Sequence, residues 1–402
     1  MQTKDQVTVL HVVGDSAFGG ASRIILRLAQ LAKAEGCQVD ILTTDPVFRE
    51  AAQREGIGVV SIDVIRRPIR PLWDMLGLIR LCRFLRVRSY TMVHTHTSKA
   101  GFVGRLAAWL AGVPIVVHTA HGFAFHERTP ASSRAAYSIL ERVASYGCDR
   151  IAFVSEFHRE WALKLGMCGP DKAIAIPNGI VARRRKPQVH TVELRRSLGV
   201  RDDDVVILSM GRLAAEKGLE HLMEAASILR YAEPRFRIWI AGEGPQGRQL
   251  EDLAAALEVT DRVTFLGHRE DIGDLLAACD LVVLPSLREG LSIALLEAMA
   301  AGKAIVTTRI GSNLEVANQA EMAILVETGD PRALYQAMLH GVRDSALRAR
   351  LGSNARMLFE KRYTEDRMLN SYRRLYGELI ESKCSASVGV SKTRQARIAR
   401  IS

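Results

Sequence analysis

The sequence predicts an α/β protein built from two Rossmann-like, doubly wound domains. Three observations lead to this prediction. The chain has 402 residues, which is more than one hydrophobic core usually serves. Hydrophobic residues make up 48% of it and charged residues 25%, as in a folded globular protein. Strand-like apolar segments alternate with helical segments in both halves, and this alternation is typical of parallel sheets covered by helices.

The first half of the chain contains five segments that we interpret as strands. They cover residues 7–13, 38–43, 91–95, 115–119 and 150–154. A glycine loop follows the first of them and leads into a predicted helix over residues 24–33. We expect this N-terminal domain to span residues 1–180. Residues 183–187 are charged and polar, and are typical of a linker.

A second alternating series begins after this linker. Its predicted strands cover residues 205–209, 237–241, 263–266, 281–285 and 304–307, with helices near residues 219–230, 246–257 and 293–300. We expect the second domain to span residues 181–365 and to face the first across a cleft at the carboxyl ends of both sheets. A C-terminal helix over residues 366–382 would pack back on the first domain, and residues 383–402 would form a flexible basic tail.

Cysteine usage and hydropathy favour a cytoplasmic protein. The six cysteines form no CxxC pair, and the N-terminus lacks an apolar signal-like run. Both features favour a reducing compartment with free thiols. No run of about 18 apolar residues occurs, so we predict no membrane span, and any membrane contact would be peripheral on the inner face of the plasma membrane.

Basic residues are concentrated between Arg66 and Arg88. The whole chain carries 55 lysines and arginines against 44 acidic residues, a net charge of +11, and this segment holds seven arginines and one acid. A helix here would place Arg80 and Arg83 beside an apolar stripe formed by Leu72, Leu76, Ile79 and Cys82. The pattern is equally typical of a helix that lies on an anionic membrane surface and of an ordinary surface helix. Nucleic acid is disfavoured because no recognised binding module accompanies the charge.

The strongest chemical signal lies between residues 281 and 297. A buried strand is followed by Pro285-Ser286, a loop that carries Glu289, and a helix that carries Glu297. Backbone N–H groups at the start of such a helix suit a phosphorylated ligand, and two carboxylates suit its hydroxyl groups. Taken by itself, Glu289 would be interpreted as a carboxylate that caps the helix, and Glu297 as a solvated residue on the helix surface. The same predicted site includes Gly290, Leu291 and Ser292.

Two cationic side chains follow the first strand of the second domain. Arg212 and Lys217 are five residues apart, so both can converge on one diphosphate and stabilise its charge as it departs. Alone, the pair would also fit an exposed loop of mixed charge. Gly242, in a turn after the next strand, would shape the nucleotide pocket.

The loop after the first strand is rich in glycine. Gly19 and Gly20 would let the backbone approach a ligand phosphate at the start of the next helix. The loop has neither the GxGxxG nor the GK[ST] pattern, so the sequence supports neither a dinucleotide fingerprint nor a Walker loop.

Histidines cluster at the ends of predicted strands in the first domain. They lack acidic or cysteine companions at metal-ligand spacing, so we predict no metal site and no cofactor. His94 and His118 fit buried histidines that are hydrogen-bonded to the backbone. His121 is followed by a glycine at a strand end, and it is the candidate for catalysis.

Together these motifs resemble the retaining glycosyltransferases of family 4. The segment from Glu289 to Glu297 is similar to the family's EX7E motif. The family's other motifs are present in its order: Gly19-Gly20, His121-Gly122-Phe123, Pro177-Asn178-Gly179, Gly211-Arg212-Leu213, Glu216-Lys217-Gly218 and Gly242-Glu243-Gly244-Pro245. The resemblance covers about residues 7–376. Residues 310–313 depart from it, since many relatives have two glycines where this chain has Gly311-Ser312.

The resemblance implies a GT-B fold. The second domain would hold most of the nucleotide-diphosphate sugar donor, and the first domain would bind the acceptor. Arg212 and Lys217 would bind the diphosphate, and Glu297 the ribose. Glu289 would hold the transferred sugar, and His121 would contact its hydroxyls near the reacting carbon. Transfer would retain the donor's configuration without a metal, with the departing phosphate taking the acceptor's proton.

Residues 94–101 are further similar to transferases of bacterial exopolysaccharide, capsule and lipid-linked oligosaccharide assembly. This similarity implies transfer of a hexose or N-acetylhexosamine, with UDP favoured over GDP, to a glycan or polyprenyl-linked acceptor in cell-surface polysaccharide biosynthesis. The alternatives are a nucleotide-sugar epimerase or sugar phosphorylase of the same fold, and a non-catalytic, membrane-docked scaffold. Retention of His121, Arg212, Lys217 and Glu289 disfavours the scaffold.

Overall fold

The chain forms two compact units. The computed structural model describes residues 6–15, 18–65, 70–123, 125, 129–182 and 188–398. Unit 1 comprises Met1–Pro177 and Asp366–Ser402, and unit 2 comprises Asn178–Glu365. The sequence placed this division at residue 180 and treated residues 366–382 as a separate helix. The predicted linker at residues 183–187 and the arginines Arg66 and Arg67 lie outside the described residues.

Unit 1 is built on a seven-stranded parallel sheet. Its strands are β1 (Thr8–Gly14), β2 (Gln38–Thr43), β3 (Gly58–Val60), β4 (Met92–His96), β5 (Ile115–Ala120), β6 (Arg150–Phe153) and β7 (Ala173–Ala175). Its helices include α1 (Gly20–Ala34), α2 (Pro46–Arg54), α3 (Pro71–Arg88), α4 (Ser98–Ala111), α5 (Ala131–Tyr146) and α6 (Glu156–Lys164). The strand order is β3-β2-β1-β4-β5-β6-β7.

The strand order of unit 1 reverses between β1 and β4. Right-handed crossovers therefore place α1 and α2 on one face of the sheet and α3 to α6 on the other. Strands β1, β4 and β5 are almost fully buried, as is usual for a sheet covered on both faces. Helix α3 packs on α4, and α4 packs on α5.

Unit 2 repeats this architecture with six parallel strands. They are β8 (Val205–Met210), β9 (Phe236–Ala241), β10 (Val263–Gly267), β11 (Leu281–Leu284), β12 (Ala304–Thr308) and β13 (Ala323–Val326). The helices are α7 (Gln188–Ser197), α8 (Leu219–Ala232), α9 (Gly247–Ala256), α10 (Ile272–Ala278), α11 (Ile293–Ala300), α12 (Gly311–Ala317), α13 (Pro331–Arg343) and α14 (Ser345–Arg362). The strand order β10-β9-β8-β11-β12-β13 reverses between β8 and β11.

A long final helix, α15 (Glu365–Ile398), returns the chain to unit 1. Its Tyr376 hydroxyl lies 2.6 Å from His94 Nδ1, and its Tyr372 hydroxyl lies 2.9 Å from Thr119 Oγ1. Both tyrosines are buried, so they attach the helix to β4 and β5. The helix continues to Ile398, across most of the tail that was predicted to be flexible.

The cysteines whose side chains are described are all free thiols. Four are buried, Cys82, Cys148, Cys168 and Cys279, and Cys37 is partly exposed. Across the residues that the structure describes, no helix is long and apolar enough to cross a bilayer.

The contact between Tyr376 and His94 yields a stability prediction. Replacing Tyr376→Phe leaves the buried Nδ1 of His94 without its partner, which costs about 1–3 kcal/mol. We expect the melting temperature of unit 1 to fall by about 2–12 °C in scanning calorimetry. Tyr231→Phe is the matched control because Tyr231 is 82% exposed. Equal melting of the two variants would contradict the assignment of this contact.

Candidate functional site

A small pocket in unit 2 lies at the carboxyl ends of β8 and β11, where the strand order reverses. Doubly wound sheets bind their ligands at this place, because the loops on either side diverge there. Two separate loops, one after β8 and one after β11, contribute polar side chains to the pocket. Its lining consists of Ser209, Met210, Gly211, Arg212, Leu213, Lys217, Leu219, Ile240, Leu284, Pro285 and Ser286.

The structure brings two predicted site residues, Lys217 and Glu289, into direct contact. Lys217 Nζ lies 2.5 Å from Glu289 Oε1, and the hydroxyl of Ser286 donates to the same oxygen at 2.9 Å. The side chains of Lys217 and Glu289 are only 21% and 13% exposed. This partly buried pair places a cation and a carboxylate at one end of the pocket, where a charged ligand could exchange with either.

Arg212 supplies a second cation to the pocket. Its side chain is exposed, and it forms no hydrogen bond or ion pair with any residue that the structure describes. Lys217 is therefore neutralised by Glu289, whereas Arg212 is available to bind an anion. A planar guanidinium suits bidentate contacts to phosphate oxygens.

Gly242 holds the loops after β8 and β9 together. Its φ is +144°, and a Cβ atom there would lie 1.9 Å from the carbonyl oxygen of Gly211. The N–H of Gly242 donates to the carbonyl of Gly267 at 2.8 Å. The predicted role of Gly242 in shaping the pocket thus has a steric basis, since only glycine fits here.

The segment that carries Gly290, Leu291 and Ser292 leads into α11. Ser292 is the N-cap of the helix, and its hydroxyl accepts from the N–H of Leu295 at 3.3 Å. Glu289 is thus not the cap, which removes one of the two readings that the sequence left for it. Glu297 is the fifth residue of α11 and is partly exposed.

Ser312 fixes the backbone of the Glu289 loop, a role that the sequence analysis missed. Its buried hydroxyl donates to the carbonyl of Glu289 at 3.3 Å. The hydroxyl of Thr308 likewise donates to the carbonyl of Ser286 at 2.5 Å. The departure at residues 310–313 therefore adds a hydrogen bond to the loop. The serine that stands where many relatives have a glycine was the signal available for it.

In unit 1, His121 is joined to two buried histidines. His121 Nε2 lies 3.2 Å from His96 Nδ1, and His96 Nε2 lies 3.1 Å from His11 Nδ1. Burial lowers the pKa of His121 to about 4 and that of His11 to about 3. It also holds the pKa of His96 well below its usual range. These rings are therefore neutral at physiological pH.

The other predicted residues of unit 1 lie on the same edge of the sheet. His118 is buried with Nδ1 3.1 Å from the carbonyl oxygen of Thr95, as the buried interpretation predicts. His94 is buried too, but its partners are the side chains of Tyr376 and Thr119. Gly19 and Gly20 are the N-cap and first residue of α1.

His11, His94 and His96 form a compact group whose geometry can be compared with that of a metal centre. Their ring nitrogens lie within 4.8 Å of one another. Both nitrogens of His94 are already hydrogen-bonded, at 2.6 Å to Tyr376 and 2.8 Å to Thr119. The group therefore fits a hydrogen-bonded network better than a zinc site, which needs a free nitrogen from each ring.

Comparison with known proteins identifies the family. The model described as "Glycosyl transferases group 1" matches residues 191–358, and "Glycosyl transferase 4-like domain" matches residues 19–179. The putative glycosyltransferase EpsD of Bacillus subtilis is 30% identical over 78% of this chain and 84% of its own length. The chain belongs to the family 4 glycosyltransferases. This confirms the family that the sequence motifs predicted.

Other similar proteins agree with this family and with its GT-B fold. The UDP-Gal:alpha-D-GlcNAc-diphosphoundecaprenol alpha-1,3-galactosyltransferase of Escherichia coli is 28% identical over 95% of this chain and 99% of its own length. The structure of Anabaena HepE in complex with UDP and glucose matches with a TM-score of 0.79. Its identity is 21%, and the match covers 93% of this chain and 100% of HepE. The chain is therefore a glycosyltransferase with the GT-B fold.

The steric role of Gly242 yields a second stability prediction. Gly242→Ala combines a strained φ with a clash against Gly211, and we expect it to destabilise unit 2 by about 2–5 kcal/mol. Gly199→Ala is the matched control, because Gly199 also has a positive φ, +71°, but no atom within 4 Å of its Cβ position. Strain alone should cost it about 1–2 kcal/mol. Urea unfolding measures the free energy of unfolding of both variants. Equal losses of stability would show that the clash at residue 242 is relieved.

Proposed function

We propose that this glycosyltransferase moves a hexose or N-acetylhexosamine from a UDP-sugar to a lipid-linked or glycan acceptor in cell-surface polysaccharide biosynthesis. Transfer would retain the α configuration and need no metal. The ion pair between Lys217 and Glu289 in the pocket of unit 2 carries this proposal. The donor and acceptor in the name of the Escherichia coli relative support its specificity, as does the UDP complex of HepE.

Donor binding would exchange the partners of Lys217. A diphosphate offers Lys217 more negative charge than the single carboxylate of Glu289 does, so the ammonium would move to the phosphate oxygens. This exchange frees Glu289 to accept hydrogen bonds from the hydroxyls of the transferred sugar. Ser286 would keep the freed carboxylate in place, since it already donates to Oε1.

Arg212 and Lys217 would also assist the departure of the nucleotide. Negative charge builds up on the diphosphate as the bond to the sugar breaks, and two cations fixed at that position stabilise it most in the transition state. Side chains thus supply the charge that a divalent cation supplies in other transferases. For Glu297 we propose a contact to the ribose hydroxyls, and for His121 a contact to the transferred sugar.

Peripheral membrane binding through α3 is a further part of the proposal. Leu72 and Trp73 are 73% and 53% exposed, while the helix packs on its unit through Gly77, Leu81, Cys82 and Leu85. Of the predicted stripe, only Cys82 is buried. Exposed apolar side chains continue across the neighbouring helices, and together they form what we call the α3–α5 face: Leu72, Trp73, Met75, Leu76, Ile79, Trp109, Leu110, Ile139, Leu140, Val143 and Tyr146.

An anionic lipid surface is the occupant that best suits the α3–α5 face. Arg80, Arg83, Arg86 and Arg88 are exposed on α3 beside its apolar side chains. Arginines next to exposed tryptophan and leucine combine lipid-headgroup attraction with apolar insertion. A lipid-linked acceptor would be presented at that surface.

Donor binding is tested by thermal shift against UDP-, GDP- and ADP-sugars. We expect a UDP-sugar at about a hundredfold excess over its Kd to stabilise the native state by about 2.7 kcal/mol. Lys217→Ala should lose most of this response. The matched control is Arg332→Ala, since Arg332 is an exposed cation elsewhere in unit 2. Absence of any response at millimolar donor would contradict the proposed donor site and favour the scaffold.

Membrane binding is tested by co-sedimentation with phosphatidylglycerol-containing vesicles at low salt. Each arginine near an anionic surface contributes about 1 kcal/mol, so the double variant Arg80→Ala/Arg83→Ala should bind roughly thirtyfold more weakly. Tyr231→Ser, an exposed aromatic residue of unit 2, should bind as the wild type does. Failure of the wild type to sediment would refute this part of the proposal.

A further inference from the structure

We propose that Asn178 and Ser312 are positioning residues that hold the Glu289 loop, residues 286–292, so that the carboxylate of Glu289 lies where the transferred sugar binds. The inference rests on the proposed contact between Glu289 and that sugar. It names two residues that act through Glu289, and it gives a role to the asparagine of the motif at residues 177–179, which the proposed function leaves unassigned.

Two backbone carbonyls of the Glu289 loop accept hydrogen bonds from buried side chains of distant segments. The hydroxyl of Ser312 donates to the carbonyl of Glu289 at 3.3 Å. The side-chain amide of Asn178 donates to the carbonyl of Leu291, also at 3.3 Å, although these two residues are 113 positions apart in the chain. Ser312 and Asn178 are 1% and 5% exposed, so water competes little for either bond. The loop is therefore held at Glu289 itself and two residues beyond it.

The start of the loop is held by its first peptide unit. The C=O and the N–H of a trans peptide unit point in opposite directions. The carbonyl of Ser286 accepts from the hydroxyl of Thr308 at 2.5 Å, and on the other side the N–H of Leu287 donates to the carbonyl of Glu216 at 2.9 Å. Glu216 directly precedes Lys217, so this peptide unit joins the Glu289 loop to the loop that supplies the cation of the ion pair.

The backbone around Asn178 is itself paired within unit 2. A Cβ atom at Gly179 would lie 2.3 Å from the carbonyl oxygen of Thr364, so only glycine allows this close approach. Ile180 then forms a parallel bridge with Thr364. The side chain of Asn178 therefore reaches the Glu289 loop from a segment whose own position is fixed by a second segment of the unit.

These backbone contacts matter most when the donor binds. In the proposed exchange Lys217 leaves Glu289 for the diphosphate, and the carboxylate then keeps only its bond from Ser286. Gly290 follows Glu289 and has wide backbone freedom, so the peptide unit between them can turn unless its carbonyl is held. A displacement of about 1 Å in a catalytic group can cost about a hundredfold in rate. The bonds from Ser312 and Asn178 oppose this displacement.

The two positioning residues are tested first by hydrogen–deuterium exchange in the full-length protein without donor. Ser312→Ala removes one side-chain donor, and Asn178→Asp removes the other while keeping the shape of the side chain. Residues 286–296 form the peptide to follow, since its amides at Leu287 and Leu295 are hydrogen-bonded. We expect their exchange to become about three- to tenfold faster in each variant, as for the loss of one hydrogen bond.

Matched controls exist for both substitutions. The hydroxyl of Ser227 and the side-chain amide of Asn354 donate to backbone carbonyls elsewhere in unit 2, at 2.9 Å or less. Ser227→Ala and Asn354→Asp should therefore leave exchange in residues 286–296 unchanged. Unchanged exchange in Ser312→Ala or in Asn178→Asp removes that residue from the proposal. If Ser312→Ala does not fold, Ser312→Gly also lacks the hydroxyl and replaces it.

Donor affinity tests whether Ser312 acts through Glu289. Titration by thermal shift gives the Kd of UDP and of UDP-galactose or UDP-glucose. We expect Ser312→Ala to weaken binding of the UDP-sugar about three- to tenfold and to leave that of UDP unchanged, since Glu289 would contact only the sugar. In a Glu289→Ala background, Ser312→Ala should cause no further loss. Equal weakening of UDP and UDP-sugar, or an equal loss in both backgrounds, would show a merely structural role.

The readouts separate this inference from the proposed function. If UDP-sugars do not bind while exchange in residues 286–296 rises in both variants, the donor assignment fails and the anchoring of the loop stands. If UDP-sugars bind and exchange does not change, the anchoring fails and the donor assignment stands.

Discussion

Parallel strand pairing is the constraint on which both units depend. Because all strands of a parallel sheet run the same way, every loop that leaves a carboxyl end emerges at one edge. The strand order reverses between β1 and β4 in unit 1 and between β8 and β11 in unit 2. The loops that follow these two strands diverge there. In unit 2 this opens a pocket between the loop of Lys217 and the loop of Ser286.

Polar groups at these edges are held by partners from neighbouring loops. Glu289 is contacted through its carboxylate by Lys217 and Ser286, and through its backbone by Ser312. In unit 1 His94 is bonded to Tyr376 of α15, and His96 is bonded to His11 and His121. Buried polar side chains that are paired in this way resist displacement, since each lost bond leaves a group away from water.

The sequence predicted most of the apolar strands, for a physical reason. Strands such as β11 are short apolar runs bounded by turn residues, and motifs such as that of Glu289 follow directly in the chain. Three strands were not predicted, namely β3, β7 and β13, which lie at the edges of the two sheets and pair with one neighbour only. Local pattern carries little information about such edge strands.

Contacts between distant segments were the part of the site that the sequence could not show. His11 lies in an apolar strand and gives no local sign that it meets His96, 85 residues away. Ser312 contacts Glu289 across 23 residues, and Tyr376 meets His94 across 282. Each depends on strand register and helix packing, which are set by the whole sheet.

The return of α15 to unit 1 makes that unit discontinuous in the chain. Its sheet is complete by residue 177, yet the tyrosines that cover His94 and Thr119 lie after residue 366, beyond all of unit 2. During synthesis unit 2 can therefore finish folding on the ribosome, while unit 1 keeps an uncovered polar surface until the last helix is made. Unit 1 therefore begins to emerge first but is completed after unit 2.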